Sequence, residues 1–401
     1  MSLDLSFVRG QFPALGGSEV FLDNAGGSVT LARVADRIHD YLSNTDVQLG
    51  ATYRTSVNAA ERYADARSKL AGFIGAGRPE DVVFGPSSTI LLGFLARALT
   101  GCIGKGDEIV VTRVDHESNI GCWLDLADRC AARVRWWERN ADSGDLEISD
   151  LAELLGPKTR LVCFTHVSNI LGTLNPVEAI THLAHGHGAR VCVDGVAYAP
   201  HRPVDVTAWD VDFYCISLYK VYGPHHALLY GKPEALLELD SVNHYFVGQE
   251  RVPGKLEPGN ANYELSHGAA GIVDYFEDLH ARHGGEAWSE IAAHEEALAG
   301  RLLDFVNDQP RLRVVGQPRP DRDRRVPTIS FVHERRTSSE IVTAMDRHDI
   351  GIRYGHFYAA RLIDDLGLTE HNGVVRVSMV HYNTLDEIDR LVERLDEACV
   401  D

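Results

Sequence analysis

Asp212-Phe213-Tyr214-Cys215-Ile216-Ser217-Leu218-Tyr219-Lys220-Val221-Tyr222-Gly223-Pro224 is the stretch on which the reading of this chain turns. Phe213 to Ser217 is a short apolar run and reads as a buried strand. A lysine follows it closely, flanked by Tyr219 and Tyr222, and a Gly223-Pro224 turn closes the segment. A lysine at a strand end can simply snorkel to solvent. It can also be a Schiff-base lysine, whose amine needs a desolvated site to lower its pKa and become nucleophilic. What lies at the other strand ends decides between these.

Working outward, short apolar runs recur at Val82 to Phe84, Glu108 to Thr112, Val134 to Glu138, Arg160 to Thr165, Ala189 to Val193 and Ala227 to Tyr230. Helical spacing falls between many of them, and Val29 to Ser43 and Ala59 to Ile74 read as helices ahead of them. This pattern predicts an α/β fold with a largely parallel sheet covered on both faces. The large domain is expected over about 15–255. Beyond it, Leu265 to His283 and Ala287 to Asn307 read as long helices. Val326 to Val332, Ile350 to Tyr354 and Val374 to Met379 read as strands. Residues 256–401 are therefore expected to form a smaller α+β domain, with part of 1–30 joining it. Thr384 and Glu387 form a capping box that opens the last helix.

Composition narrows the class. The chain has 401 residues, a net charge of −19, 44% hydrophobic and 24% charged residues. These are globular values, and the charge disfavours a nucleic-acid partner. Seven cysteines without C-x-x-C spacing argue against a disulfide framework or a zinc site and suit a reducing cytoplasm. Met1 to Asp4 shows neither a basic nor an apolar leader, and no run has the length of a membrane span. Gly101, Gly104 and Gly106 precede a strand instead of following one, so a turn is expected there and not a dinucleotide site. His182, His185 and His187 read as a solvated helix end; no metal site is expected.

The strand ends carry chemistry. Arg190-Val191-Cys192-Val193-Asp194-Gly195 ends in a carboxylate, which can keep a pyridine nitrogen protonated. Ser88 and Thr89 open a helix after Val82 to Phe84, a place where hydroxyls and free N–H groups hold phosphate. His116 follows the strand Glu108 to Thr112 and could stack on a ring. Asn169 follows Arg160 to Thr165 and could aim an amide at it. Each has a bland alternative: a turn-capping Asp, a helix N-cap. Together they suggest pyridoxal phosphate at the C-terminal edge of the sheet.

These residues, with Phe21-Leu22-Asp23-Asn24-Ala25-Gly26, His166-Val167-Ser168-Asn169, Lys220 with Tyr222-Gly223-Pro224, and Arg376-Val377-Ser378, resemble class V aminotransferases. The resemblance is to their cysteine desulfurase and selenocysteine lyase group in particular. It implies a pyridoxal-phosphate enzyme of fold type I, a seven-stranded mostly parallel sheet, and a homodimer with its site at the subunit interface. It further implies Lys220 as the Schiff-base lysine and proton carrier, Asp194 at the pyridine nitrogen and His116 stacked on the ring. Asn169 would sit near the ring hydroxyl or the substrate. Ser88, Thr89 and Ser217 would hold phosphate, with Tyr219 beside the cofactor, and Gly259 and Asn260 would reach the partner's phosphate. Arg376 would bind the carboxylate of an amino-acid substrate, with Arg353, His356, Tyr358 and Asn24 nearby.

The sequence departs from that group at three places. The loop Arg353-Tyr354-Gly355-His356-Phe357-Tyr358 carries Tyr358 where the persulfide cysteine belongs. Tyr219 replaces a histidine before the lysine, and Ala197 replaces a glutamine after Asp194. A lyase-type β-elimination or a transamination is expected in place of persulfide-forming desulfuration. A desulfurase with another sulfur acceptor, and a non-catalytic binder of the cofactor, are the alternatives.

Overall fold

The computed structural model describes residues 2–141, 143–259 and 261–399. Its thirteen strands in chain order are β1 (Val20–Phe21), β2 (Val82–Gly85), β3 (Glu108–Thr112), β4 (Arg133–Trp137), β5 (Thr159–Thr165), β6 (Arg190–Asp194) and β7 (Phe213–Ser217), then β8 (Ala227–Gly231), β9 (Leu312–Val315), β10 (Thr328–His333), β11 (Ile350–Gly351), β12 (Arg353–Gly355) and β13 (Val374–Ser378). The central sheet has seven strands in the order β2-β8-β7-β6-β5-β3-β4. Only β8 runs against the others, antiparallel to both β2 and β7. The C-terminal ends of β2, β3, β5, β6 and β7 therefore share one edge.

The apolar runs form this sheet because both of its faces are covered. Val83, Val110, Val162, Val191 and Phe213 have no exposed surface. Helices Ser88–Ala98 and Gly121–Cys130 cover one face. The helix Tyr263–Arg282 packs beside Ala32–Asn44 and Arg54–Phe73 on the other side of the chain's core. Lost water contact of this apolar surface is the dominant stabilising term.

The second sheet, β12-β13-β10-β9, is antiparallel throughout. The expected strand Ile350 to Tyr354 is split at Ile352. Ile350–Gly351 pairs in parallel with β1, whereas Arg353–Gly355 joins β13. Strands β1 and β9 carry no readable sequence pattern of their own. The helix expected from Val29 begins at Ala32, because the Leu31 N–H is held extended against the Tyr222 carbonyl. Thr384 and Glu387 do form a reciprocal cap, at 3.0 and 3.2 Å. His185 is not simply solvated: its Nε2 lies 2.8 Å from Asp212 and its Nδ1 3.3 Å from Asp210. Among the described residues there is no metal-ligating cluster, no disulfide, and no helix long and apolar enough to cross a membrane. We propose the division between the two units near residue 255, ahead of Tyr263–Arg282.

Candidate active site

A cavity of about 530 Å³ opens at the shared strand edge. It is lined by Ser88, Thr89, His116, Asn169, Asp194, Ser217, Tyr219, Lys220 and Tyr358, so nine of the residues singled out from sequence meet in one place. The topology explains this. Asp194 is the last residue of β6, in register with Thr165 and Cys215 on its neighbours. Ser217 ends β7, and Lys220 lies one short turn further on.

Lys220 is 8% exposed. Burial, reinforced by the charge of Arg376, lowers its ammonium pKa to about 8, against the opposing pull of Asp194 and Asp23. Asp194 is buried as well, which raises its pKa, while the Val196 N–H donates to its Oδ1 at 2.9 Å. Gly195 beside it has no side chain for a reason: a Cβ there would lie 2.0 Å from Tyr214. Tyr214 in turn holds His166 through its hydroxyl, 2.9 Å from Nδ1.

His116 sits at the wall with its pKa lowered to about 4, chiefly by burial and then by Lys220 and Arg376. It is neutral, and so is free to lie against an aromatic ring. The preceding residue, Asp115, fixes this turn. It is fully buried, receives hydrogen bonds from Thr112 and from Asn119 Nδ2 (2.6 Å), and burial raises its pKa to about 8. At the opposite wall Ser87 caps the helix Ser88–Ala98, and the Ser88 and Ser217 hydroxyls face each other at 2.9 Å.

Arg376, on β13, is 1% exposed. One guanidinium nitrogen donates to Asp23 at 2.9 Å and another to the Asn169 carbonyl at 3.2 Å. Its Nε is buried with no hydrogen-bond partner, and so is Asn169 Oδ1. Asp23 also meets Arg353 at 3.2 Å. The short stretch Phe21 to Gly26 thus contributes an ion-pair partner that the sequence reading passed over in favour of Asn24.

Asn24 is not brought to the cavity. Its amide donates to the Ser378 carbonyl at 2.8 Å and to Asn383 Oδ1 at 3.1 Å, and its Oδ1 accepts from Tyr382. With these bonds made, it ties the N-terminal segment to the last β-turn and has no polar atom left for substrate. His356 does not line this cavity either: its Nδ1 accepts from the Tyr358 N–H at 3.1 Å. Gly259 has φ +81 and does not line the cavity, and Asn260 lies outside the described residues.

The loop after β12 closes the site. Phe357 and Tyr358 have consecutive positive φ values, +48 and +60, unusual for large side chains. Four contacts hold them there. The Asn169 amide donates to the Phe357 carbonyl (2.9 Å), and the Glu117 N–H to the Tyr358 carbonyl (2.7 Å). Arg361 grips Glu117 with two bonds of 2.9 Å. The Tyr358 ring then lies 5.2 Å from that of His116. Neither Glu117 nor Arg361 was readable as a site residue, because the pair spans two distant segments. Cys122 was missed too. It lines the cavity, but its thiol donates to the Ser118 carbonyl at 3.2 Å, and burial pushes its pKa well above that of a free thiol.

The Aminotransferase class-V family pattern matches residues 20–391. The aminotransferase-like protein FGM3 of Gibberella zeae is 43% identical over 98% of both chains. The cysteine desulfurase-like protein ustD of Aspergillus flavus is 35% identical over 98% of this chain and 90% of its own. The crystal structure of the cysteine desulfurase CsdA from Escherichia coli superposes with a TM-score of 0.87 at 27% identity, covering 99% of each chain. The chain belongs to the class-V aminotransferase family and is a pyridoxal-phosphate-dependent enzyme of fold type I.

Proposed function

We propose that the protein is a lyase-type enzyme that removes the Cα proton of an amino acid and expels a leaving group from Cβ. The observation that carries this is the residue the closing loop delivers. Tyr358 faces the cavity, and the only cysteine lining it among the described residues, Cys122, is a suppressed thiol. A thiol without thiolate character is a poor sulfur acceptor. The names of relatives support chemistry on an amino acid in general: one is aminotransferase-like, another desulfurase-like.

The residues fit the cofactor. The orphaned Asn169 Oδ1, the buried Asp194 carboxylate and the facing Ser88 and Ser217 hydroxyls are placed around Lys220. Ser88, Thr89 and Ser217 would hold the phosphate and Asp194 the pyridine N–H, with His116 against the ring face. Tyr219 would line the far side. The partner's copies of Gly259 and Asn260 would reach the same phosphate. Pyridoxal phosphate, when bound, draws electrons away from Cα.

The chain supplies the rest. Arg376 offers its unpaired Nε and a neighbouring N–H to the α-carboxylate, a bidentate match to a planar anion. Arg353 shares Asp23 with it and can take over that aspartate when substrate docks. Lys220, whose lowered pKa enlarges its neutral fraction, accepts the proton from Cα. Tyr358 and Phe357 cover the site from bulk water. The Cβ substituent leaves with its bonding pair and is protonated. Water then converts the remainder to pyruvate and ammonia.

A homodimer is part of this proposal: Tyr245 and Phe246 stand 100% and 68% exposed, apolar surface that a second copy would cover. The test is product release from a panel of cysteine S-conjugates. Thiol and pyruvate in equal amounts support elimination. A 2-oxo acid that keeps its sulfur indicates transamination. L-cysteine, run beside the panel, tests the third outcome: sulfur trapped on the protein with release of alanine indicates desulfuration.

A further inference from the structure

Behind the closing loop lies a second cavity of about 450 Å³. Tyr358 lines both it and the cofactor cavity, so the two chambers meet at this residue. We infer that this second cavity is a subsite for the distal part of the substrate side chain, an uncharged aromatic or thioether group that passes Tyr358. The inference rests on the elimination reading and adds the substrate class to it.

This residue is held in place. The Tyr358 carbonyl and N–H are both engaged, at 2.7 and 3.1 Å, and Arg361 anchors the following turn on Glu117. Holding Phe357 and Tyr358 at positive φ is unfavourable, and such strain persists only where surrounding contacts over-determine it. Its effect here is to send the two rings to different places. Phe357 goes over Arg376, and Tyr358 goes where the cavities meet.

The lining selects the occupant. Tyr354, Phe357, Ala360 and Ile363 present apolar surface, and Tyr354 and Tyr358 are 44% and 67% exposed to it or to solvent. The two charged groups of the lining are already engaged. Arg353 pairs with Asp23, and Asp364 accepts from the Thr369 hydroxyl at 2.6 Å. His356 also lines the chamber, with its Nδ1 taken by the Tyr358 N–H, and against the four apolar walls a benzyl or long alkyl thioether would bury apolar area. Cysteine, whose side chain ends at its sulfur, would leave the chamber unused.

The test compares S-benzyl-L-cysteine with S-methyl-L-cysteine on the loaded enzyme. In each reaction the Cα–H and Cβ–S bonds break. The sulfur leaves with the bonding pair and takes up a proton, and one water yields pyruvate and ammonia. The benzyl conjugate is expected to have a kcat/KM at least about tenfold higher. Ala360→Trp, which fills the chamber, should remove that advantage while the methyl conjugate stays within about twofold. Thr369→Trp, from the opposite side, should do the same. Equal kcat/KM in the parent protein, or parallel loss on both substrates in the two variants, overturns the subsite. Affinity, read from the visible cofactor band on titration, separates the two ideas. If neither conjugate is cleaved, elimination fails, yet the subsite still requires the benzyl compound to bind more tightly.

Discussion

The Arg376 guanidinium carbon sits over the Phe357 ring, 3.7 Å from its centre. A face-on contact at this distance is a favourable cation–π pair, strengthened by burial. Of the in-plane donors of Arg376, Nε alone has no hydrogen-bond partner, and it is the one the proposed carboxylate would take first. In the proposed reading Phe357 would cover the carboxylate clamp without occupying it.

Phe357→Leu should weaken substrate binding by about 1–2 kcal/mol, so KM rises by roughly tenfold while kcat changes little. Steady-state kinetics on any accepted substrate checks this. A fall in kcat with unchanged KM would place Phe357 in the chemical step instead.

The lowered pKa of Lys220 gives a pH signature. At pH 7 roughly a tenth of this amine is neutral, against about one in three thousand for an ordinary lysine. Capture of pyridoxal phosphate by the apoprotein should accelerate as pH rises to about 8 and then level off. Stopped-flow absorbance measures it; continued acceleration to pH 10 would contradict a desolvated amine. The sign for stability follows from the same shift. Between about 8 and 10.5 the unfolded chain holds the proton that the folded apoprotein has released, so stability rises with pH across that window.

Much of this site is legible in the sequence because each chemical residue follows a short apolar run. Asp194, Ser217 and Lys220 need only the parallel order of their strands to converge, and buried strands announce themselves by composition. The parts that were not legible depend on long-range pairing. Val20–Phe21 is too short to show a period and becomes a strand only beside Ile350–Gly351. Nothing local to Asp23 says that Arg376 will face it. Asn24 carried a substrate role by its neighbourhood, and the hydrogen bonds that consume it come from residues 378–383. Ile350 to Tyr354 reads as one strand because a switch between two sheets leaves no mark on local pattern.

A buried chain of hydrogen bonds fixes the turn after Lys220. The Tyr222 hydroxyl donates to the Pro200 carbonyl at 3.0 Å, so it accepts from His381 Nδ1–H at 3.1 Å; Nε2 then accepts from Tyr275. Burial keeps His381 neutral, with a pKa pushed down to about 3. His381→Leu strands the Tyr275 hydroxyl and should lower unfolding free energy by about 1–3 kcal/mol, read from a urea midpoint. An unchanged midpoint would mean the chain contributes nothing.

Cys122→Ala should leave turnover within about twofold, since a half-buried thiol with a raised pKa, bonded to the Ser118 carbonyl, takes no chemical part. Loss of activity in this variant, with the cofactor band intact, would restore a sulfur-transfer reading.

The central claim is cleavage at Cβ without sulfur passing through the protein. The most direct measurement follows one turnover of a cysteine S-conjugate, with thiol and pyruvate assayed in solution and the intact protein weighed by mass spectrometry. Thiol and pyruvate should appear together, the protein mass should not change, and Lys220→Ala should abolish both products. With L-cysteine in the same assay, a protein heavier by one sulfur atom and alanine in place of pyruvate would contradict the account.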